Sequence, residues 1–185
     1  MQIIAGSKRG AKLHMLADQS VRPTAQRTRE SLFNILRAGR LPCALEDAHV
    51  LDLFAGSGAL GLEAISRGAN KALFVEKSVD ATAVIRQNIT KLGFEDQCKI
   101  IQADCLKTSH WPHQPANLIF CDPPYDKGLA IPAIQHFKKL GAFATEALII
   151  IEARKSEVIE LPDEMTLLDH RLYGIAALYF CQYNR

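Results

Sequence analysis

Asp122-Pro123-Pro124-Tyr125 closes an apolar run, Asn117-Leu118-Ile119-Phe120-Cys121. Consecutive prolines fix φ, so the Asp122 side chain and the Pro123 carbonyl sit on a preset backbone. Two acceptors held in this way suit a planar NH2 group whose lone pair is delocalised into a ring. They take both hydrogens, bias the nitrogen towards tetrahedral geometry and stabilise the positive charge that builds as it attacks. Tyr125 offers a flat face for stacking on a base, which must be unpaired or flipped out to reach it. A bare Pro-Pro after a strand is a common turn. Asp and Tyr on either side of it make Asp122, Pro123, Pro124 and Tyr125 a candidate reaction site.

Seventy residues before Asp122 lies a second acid-tipped run, Val50-Leu51-Asp52-Leu53-Phe54-Ala55-Gly56-Ser57-Gly58. Gly56 to Gly61 match GxGxxG, and Glu76 follows Gly56 by twenty residues, as a dinucleotide site asks. Asp52 argues against that reading, because a carboxylate four residues before the first glycine repels a pyrophosphate seated at the helix N-terminus. The same carboxylate attracts the α-ammonium of a methionine moiety. S-adenosylmethionine (SAM), which has no phosphate, therefore fits where NAD does not. Glu76, ending the next strand, can accept both ribose hydroxyls, and Asp104, ending the third, is placed for the adenine amino group. Phe54, Ser57, Lys77 and Cys105 adjoin these positions and complete the candidate cofactor set. The two motifs together predict methyl transfer to an exocyclic nitrogen of a base.

The elements that must position these residues are short apolar runs alternating with helical segments. Strands are expected at His49 to Phe54, Lys71 to Glu76, Lys99 to Ala103, Ala116 to Cys121 and Ala147 to Glu152, each apolar enough to be covered on both faces. Helices are expected at Ala59 to Arg67, Val79 to Leu92 and Leu129 to Leu140. Alternation of this kind implies right-handed crossovers and an α/β, doubly wound, Rossmann-like sheet. Thr166 to Tyr173 and Ala176 to Tyr183, joined at Gly174, read as an antiparallel pair at one edge. The expected sheet is seven-stranded, mostly parallel, with an antiparallel last strand.

Residues 1–48 differ in character and read as a basic extension of a single domain whose catalytic core is 49–185. Ile3-Ile4 and Lys12-Leu13-His14 around Gly6 and Gly10 suggest a small hairpin. Pro23 and Thr24 open a helix to about Leu36, Pro fitting its first turn. Ala25, Thr28, Leu32, Ile35 and Leu36 share one face, and Arg22, Gln26, Arg29 and Arg37 another. The net charge of +2 hides an asymmetry: residues 1–40 hold eight bases against two acids, and the remainder 14 bases against 18 acids. A basic end on a mildly acidic body predicts a polyanionic partner, with Lys8, Arg9, Lys12, Arg22 and Arg29 as candidate RNA contacts.

The bulk numbers exclude several classes. At 185 residues and 48% hydrophobic content, one soluble globular domain is expected. No apolar run approaches the ~20 residues of a membrane span, and the N-terminus has the wrong charge order for a secretory signal. Five cysteines without a CxxC pair read as buried thiols in a reducing cytoplasm. His110 and His113 form an HxxH across Trp111-Pro112, a turn with no further ligands to make a metal site.

On these residues the chain resembles the class I SAM-dependent methyltransferases with a [DN]PP[YF] motif. More closely it resembles the RsmD family of bacterial 16S rRNA guanine-N2 methyltransferases. The resemblance spans nearly the whole chain: Ile3-Ile4-Ala5-Gly6 with Gly10, Arg22-Pro23-Thr24 through Arg29-Glu30-Ser31-Leu32-Phe33-Asn34-Ile35-Leu36, the two central motifs, and Tyr173-Gly174. It implies methylation of a guanine 2-amino group in small-subunit rRNA, on an assembled particle rather than naked RNA; a monomer that needs no metal is expected. It also implies SAM contacts at Asp52, Gly56, Gly58, Glu76 and Asp104, with Thr24 and Arg27 at the methionine end. Gln26, where an acid is expected, and Thr28, where an aliphatic residue is usual, depart from the pattern. Two rivals are an adenine-N6 methyltransferase on DNA or RNA, which usually carries a separate target-recognition region, and a non-catalytic RNA-binding module that retains SAM. Intact Asp122 and Tyr125 argue against the second.

Overall fold

The computed structural model describes residues 1–16, 23–39, 41 and 45–184, with residues 23–25 described by backbone alone. The elements among these residues are α1 (Pro23–Arg37), β1 (His49–Leu53), α2 (Ala59–Ser66), β2 (Lys71–Glu76), α3 (Val79–Leu92), β3 (Cys98–Gln102), β4 (Ala116–Cys121), α4 (Ala130–Lys139), β5 (Phe143–Arg154), β6 (Met165–Tyr173) and β7 (Ala176–Tyr183). They form a seven-stranded sheet in the order β3-β2-β1-β4-β5-β7-β6. β1 to β5 pair in parallel, and β7 runs antiparallel to both β5 and β6. This is the expected doubly wound sheet with its antiparallel last strand. After β3 the chain crosses back beyond β1 to lay down β4. That reversal opens a crevice at the carboxyl ends of β1 and β4, where open α/β sheets bind ligands.

Period-2 alternation divides the strand residues between two cores. Val50, Phe74, Leu118, Phe120, Ile150 and Phe180 face α1, α2 and α3. Leu51, Leu53, Val75, Ile119, Ile149 and Ile151 face α4 and Trp111. The central strands are buried on both faces, which is why they read as unbroken apolar runs. α3 shows why its ends were legible in the sequence. Ser78 caps its start by accepting from the Ala81 amide, and Gly93 at φ 69° ends it in the left-handed region. β5 begins four residues before the apolar run does, because a register shift after Ala116↔Phe143 and a positive φ at Glu146 interrupt its first turn of pairing.

The basic N-terminal end is packed into the domain. Gln2 bridges Lys12 in antiparallel fashion, forming the expected hairpin in miniature. Ile3, Leu13, Leu32, Phe33 and Leu36 all bury in the first core, with the Phe33 and Phe120 ring centroids 5.8 Å apart. α1 thus covers the sheet face that α2 and α3 leave open. The change of character near residue 48 is one of sequence composition; the described residues on either side of it share the first core.

Candidate active site

The cleft at the switch point has a volume of about 770 Å³, and both sequence motifs line it. Its floor is the loop after β1. Asp52 is 1% exposed, and its Oδ2 accepts the Gly61 amide at 3.0 Å, so the strand-end acid caps α2 from below. Gly61 permits this approach, since a Cβ there would lie 2.4 Å from the Phe74 ring and 3.2 Å from Asp52 Oδ2. Burial, with Glu76 nearby, pushes the Asp52 carboxyl up to about 8, against the pull of the Gly61 hydrogen bond. Phe54 sits at φ 60°, a sparsely populated conformation for an aromatic residue, and lets the chain turn into the glycine loop.

Most of the other expected cofactor residues gather on the same side. Glu76 accepts the Gly56 amide at 3.0 Å through one oxygen and the Ser78 amide at 2.8 Å through the other, which fixes its carboxylate against the glycine loop. Asp104 accepts the Leu106 amide at 2.9 Å, an Asx-type turn that follows β3. Ser57, Gly56, Lys77, Ala103 and Cys105 also line the cleft. Gly58 at φ 78° opens α2, its would-be Cβ 3.3 Å from Ile85 and Phe74. The residues present fit SAM on chemistry alone. A buried carboxylate with no ion pair among the described residues would suit an ammonium, and two further acids at or just after strand ends would suit hydroxyl and amino donors.

Across the crevice, β4 delivers Asp122, Pro123, Pro124 and Tyr125 to the opposite wall. The Asp122 amide reaches the Leu53 carbonyl at 3.5 Å, extending the β1–β4 ladder by one step. Asp122 is raised well above the carboxylate range by burial, then by Glu152 and Asp52. The Tyr125 hydroxyl donates to Glu152 Oε1 at 2.6 Å, and the Arg154 guanidinium stands 5.5 Å from the Tyr125 ring centroid. Burial and the Glu152 carboxylate raise the Tyr125 phenol, keeping it a donor. Cys105 and Cys121 are buried thiols, the first pushed up to about 12 and the second also far above the usual range, so neither supplies a thiolate.

The third wall is the N-terminal end, through Met1, Met15, Gln26, Arg29 and Leu32. Here the structure corrects the helix reading. Arg29 is 7% exposed and donates to the Gln2 carbonyl at 2.7 Å and to Met1 Sδ at 2.7 Å, so it does not stand on a solvated basic face with Arg37. The signal was present, because 29, 32, 33 and 36 form the i, i+3, i+4, i+7 stripe that packs on the sheet. Arg27 is exposed and absent from the cleft lining, where Gln26 and Arg29 stand instead. Lys8 is half-buried, 5.7 Å from the Phe94 ring centroid, while Arg9 and Lys12 are exposed. Arg22 and the Thr24 side chain lie outside the described residues.

Three polar residues missed in the sequence hold this wall in place. Glu63 on α2, fully buried, accepts the Ile4 amide at 2.7 Å and the Ala5 amide at 3.0 Å, and pairs with Arg67 Nε at 2.6 Å. Ser66, one turn on, accepts the Lys8 amide and donates to the Ala5 carbonyl. Asn88 on α3, also fully buried, exchanges bonds of 2.7 and 3.1 Å with the His14 backbone and donates to the Ser57 carbonyl at 3.1 Å. The N-terminal end is thereby tied to the glycine loop itself.

A family profile described as Conserved hypothetical protein 95 matches residues 1–182. The ribosomal RNA small subunit methyltransferase D of Haemophilus influenzae is 35% identical over 184 residues, covering 96% of this chain and 91% of that protein. Its Escherichia coli counterpart is 36% identical over 153 residues, covering 83% and 74%. A solved Escherichia coli chain, the methyltransferase candidate yhhF, superposes with a TM-score of 0.84 at 32% identity, covering 100% of this chain and 98% of that one. The chain belongs to the conserved hypothetical protein 95 family, the family of the ribosomal RNA small subunit methyltransferase D proteins.

Proposed function

We propose that this protein transfers a methyl group from SAM to the exocyclic N2 of a guanine in 16S rRNA, acting in the cytoplasm on the assembled small subunit. One observation carries the reading: the acid-tipped glycine loop after β1 and Asp122-Pro123-Pro124-Tyr125 after β4 face each other across a single cleft at the switch point. Relatives named for small-subunit rRNA, at 35% and 36% identity, support the choice of RNA.

When bound, SAM supplies an electrophilic methyl on a sulfonium. The chain's own residues then have distinct tasks. Asp52 opposes the ammonium of the methionine end, which relieves the cost of a buried, unpaired carboxylate. Glu76 and Asp104, oriented by backbone amides, hold lone pairs towards the ribose hydroxyls and the adenine amino group. Asp122 and the Pro123 carbonyl take the two hydrogens of the base amino group and stabilise the charge that develops on nitrogen. Asp122 in its ionised form can receive the proton that leaves nitrogen afterwards; burial, Glu152 and Asp52 raise this carboxyl, so that form is gained as pH rises. Tyr125 supplies the stacking face. An amine needs no thiolate to activate it, and no covalent enzyme intermediate is required.

The test is single-turnover methyl transfer to small-subunit particles, with nucleoside mapping of the product. Asp122→Ala is expected to lower the rate by ~100-fold or more, on the scale of a lost transition-state acceptor, with SAM affinity little changed. Near-normal transfer by that variant, or methyl on adenine N6, would overturn the reading.

A further inference from the structure

Glu152 has no part in the reaction as described, yet its position is specific. β4 and β5 pair in register through Cys121↔Ile151, so the next residues of each strand, Asp122 and Glu152, lie side by side on one face of the sheet. Neighbouring strands are about 4.8 Å apart, a spacing at which two carboxylates flank adjacent edge positions of one base. Both side chains line the cleft with Pro123 and Tyr125. Tyr125 donates to Glu152 Oε1 at 2.6 Å, and among the described residues no other hydrogen bond to the Glu152 carboxylate is made. The nearby cation, Arg154, pairs instead with Asp126 at 2.9 Å. Glu152 therefore brings a second, half-buried carboxylate into the base pocket with one oxygen committed to the phenol and the other open to an incoming donor.

We propose that Glu152 accepts the ring N1–H of the target base beside the amino group held by Asp122, and so makes the pocket selective for guanine. The proposal rests on the methyl-transfer reading above and adds the basis of its base specificity. Among the amino-bearing bases, guanine alone presents a ring N–H donor next to its amino group. Adenine offers the N1 lone pair there, and cytosine the N3 lone pair. An ionised Glu152 repels either; burial raises the Glu152 carboxyl, and the phenol proton on Oε1 opposes that rise and leaves Oε2 to meet the base. A site built to bind an N–H rejects an analogue lacking it more strongly than any apolar pocket can, because its own polar group is left buried and unpaired.

The experiment compares two particles, once the modified position has been mapped. One carries guanine at that position; the other carries 2-aminopurine introduced by splinted ligation. 2-Aminopurine keeps the same 2-amino group and replaces N1–H by a lone pair. Wild-type enzyme is expected to methylate guanine at least ~100-fold faster in single turnover. In Glu152→Gln the carboxamide can donate to that lone pair, so the ratio is expected to fall below ~10 or to invert, with the SAM-induced melting shift retained. Tyr125→Phe, which keeps the stacking ring and frees Oε1, is expected to lower the ratio part-way. Equal rates on both particles for wild type, or an unchanged ratio when Glu152→Gln slows both substrates alike, would overturn the role of Glu152. If wild type modifies neither particle, the methyl-transfer reading itself fails.

Discussion

Asp52 joins three demands in one carboxylate. It stands next to last in β1, caps α2 through the Gly61 amide, and faces the cleft where a cation is expected. Without that cation its folded-state pKa of about 8 exceeds the ordinary 3.8. The sign follows directly. A carboxyl raised on folding gives full stability below pH 3.8, and that contribution is lost as pH rises from there to about 8. Asp52→Asn, whose side-chain oxygen can still accept from Gly61, should therefore melt higher than wild type in the absence of ligand. The gain should be largest above pH 8 and shrink towards pH 4, with each ~1 kcal/mol appearing as roughly 2–4 °C for a chain of this size. The same variant should lose the SAM-induced melting shift. A scan of melting temperature against pH, with and without SAM, checks both halves; a variant less stable than wild type at pH 9 would count against the cation role. On the proposed cation role, stability would be given up for binding, as is common where a buried charge awaits its partner.

The N-terminal hairpin and α1 form a wall of the site through their contacts with α2 and α3. Gly6 shows how tightly the fit is specified. At φ 86° it lies against α2 so closely that a Cβ would fall 1.7 Å from the Ser66 carbonyl oxygen. Gly6→Ala combines left-handed strain with a backbone clash, and is expected to destabilise by more than ~2 kcal/mol or to lift the hairpin from α2. In hydrogen exchange, the Ile4, Ala5 and Lys8 amides, now held by Glu63 and Ser66, should lose protection before the sheet does. Because Asn88 links His14 to Ser57, SAM affinity should fall too. Protection unchanged in Gly6→Ala would show that the hairpin can shift without leaving its seat.

For the molecule as a whole, the two halves of the charge distribution have different uses. The acids gather at the carboxyl end of the sheet, at Asp52, Glu76, Asp104, Asp122 and Glu152, where SAM and a base are proposed to bind. Three bases stand on the hairpin, Arg9 and Lys12 exposed and Lys8 half-buried, on the element that walls that cleft. An RNA backbone held there would bring a nearby base to the acidic pocket, which by itself repels phosphate. Replacing Lys8, Arg9 and Lys12 together should weaken binding to small-subunit particles and flatten its dependence on salt, since each phosphate contact releases counterions. SAM affinity should stay within about twofold, an expectation grounded on screening of exposed charges. Filter binding across a salt series reads this out, and an unaltered slope would mark the basic hairpin as merely solvated surface.

The strands, the crossover helices and both cleft motifs were legible in the chain because each depends on local pattern: unbroken apolarity for strands covered twice, helical spacing in Val79 to Leu92, glycines where φ turns positive, prolines where it is fixed. Asp52, Glu76, Asp104 and Asp122, which line the cleft, could be picked out for the same reason, each being an acid within or just after an apolar run. Glu152 carried that signal as well, at the end of the fifth such run, but its meaning lies in the β4–β5 register that sets it beside Asp122. Arg29 was misplaced because charge suggested solvent, although its spacing to Leu32, Phe33 and Leu36 pointed inward. Glu63, Ser66 and Asn88 gave no local sign at all. Their partners lie 58 to 74 residues away in the hairpin, and a buried polar side chain is explained only by the donor or acceptor that folding brings to it. Periodicity and backbone chemistry act over a few residues and can be read along the chain. The closing of the cleft by its own N-terminus depends on packing between segments far apart in sequence, and only the folded molecule displays it.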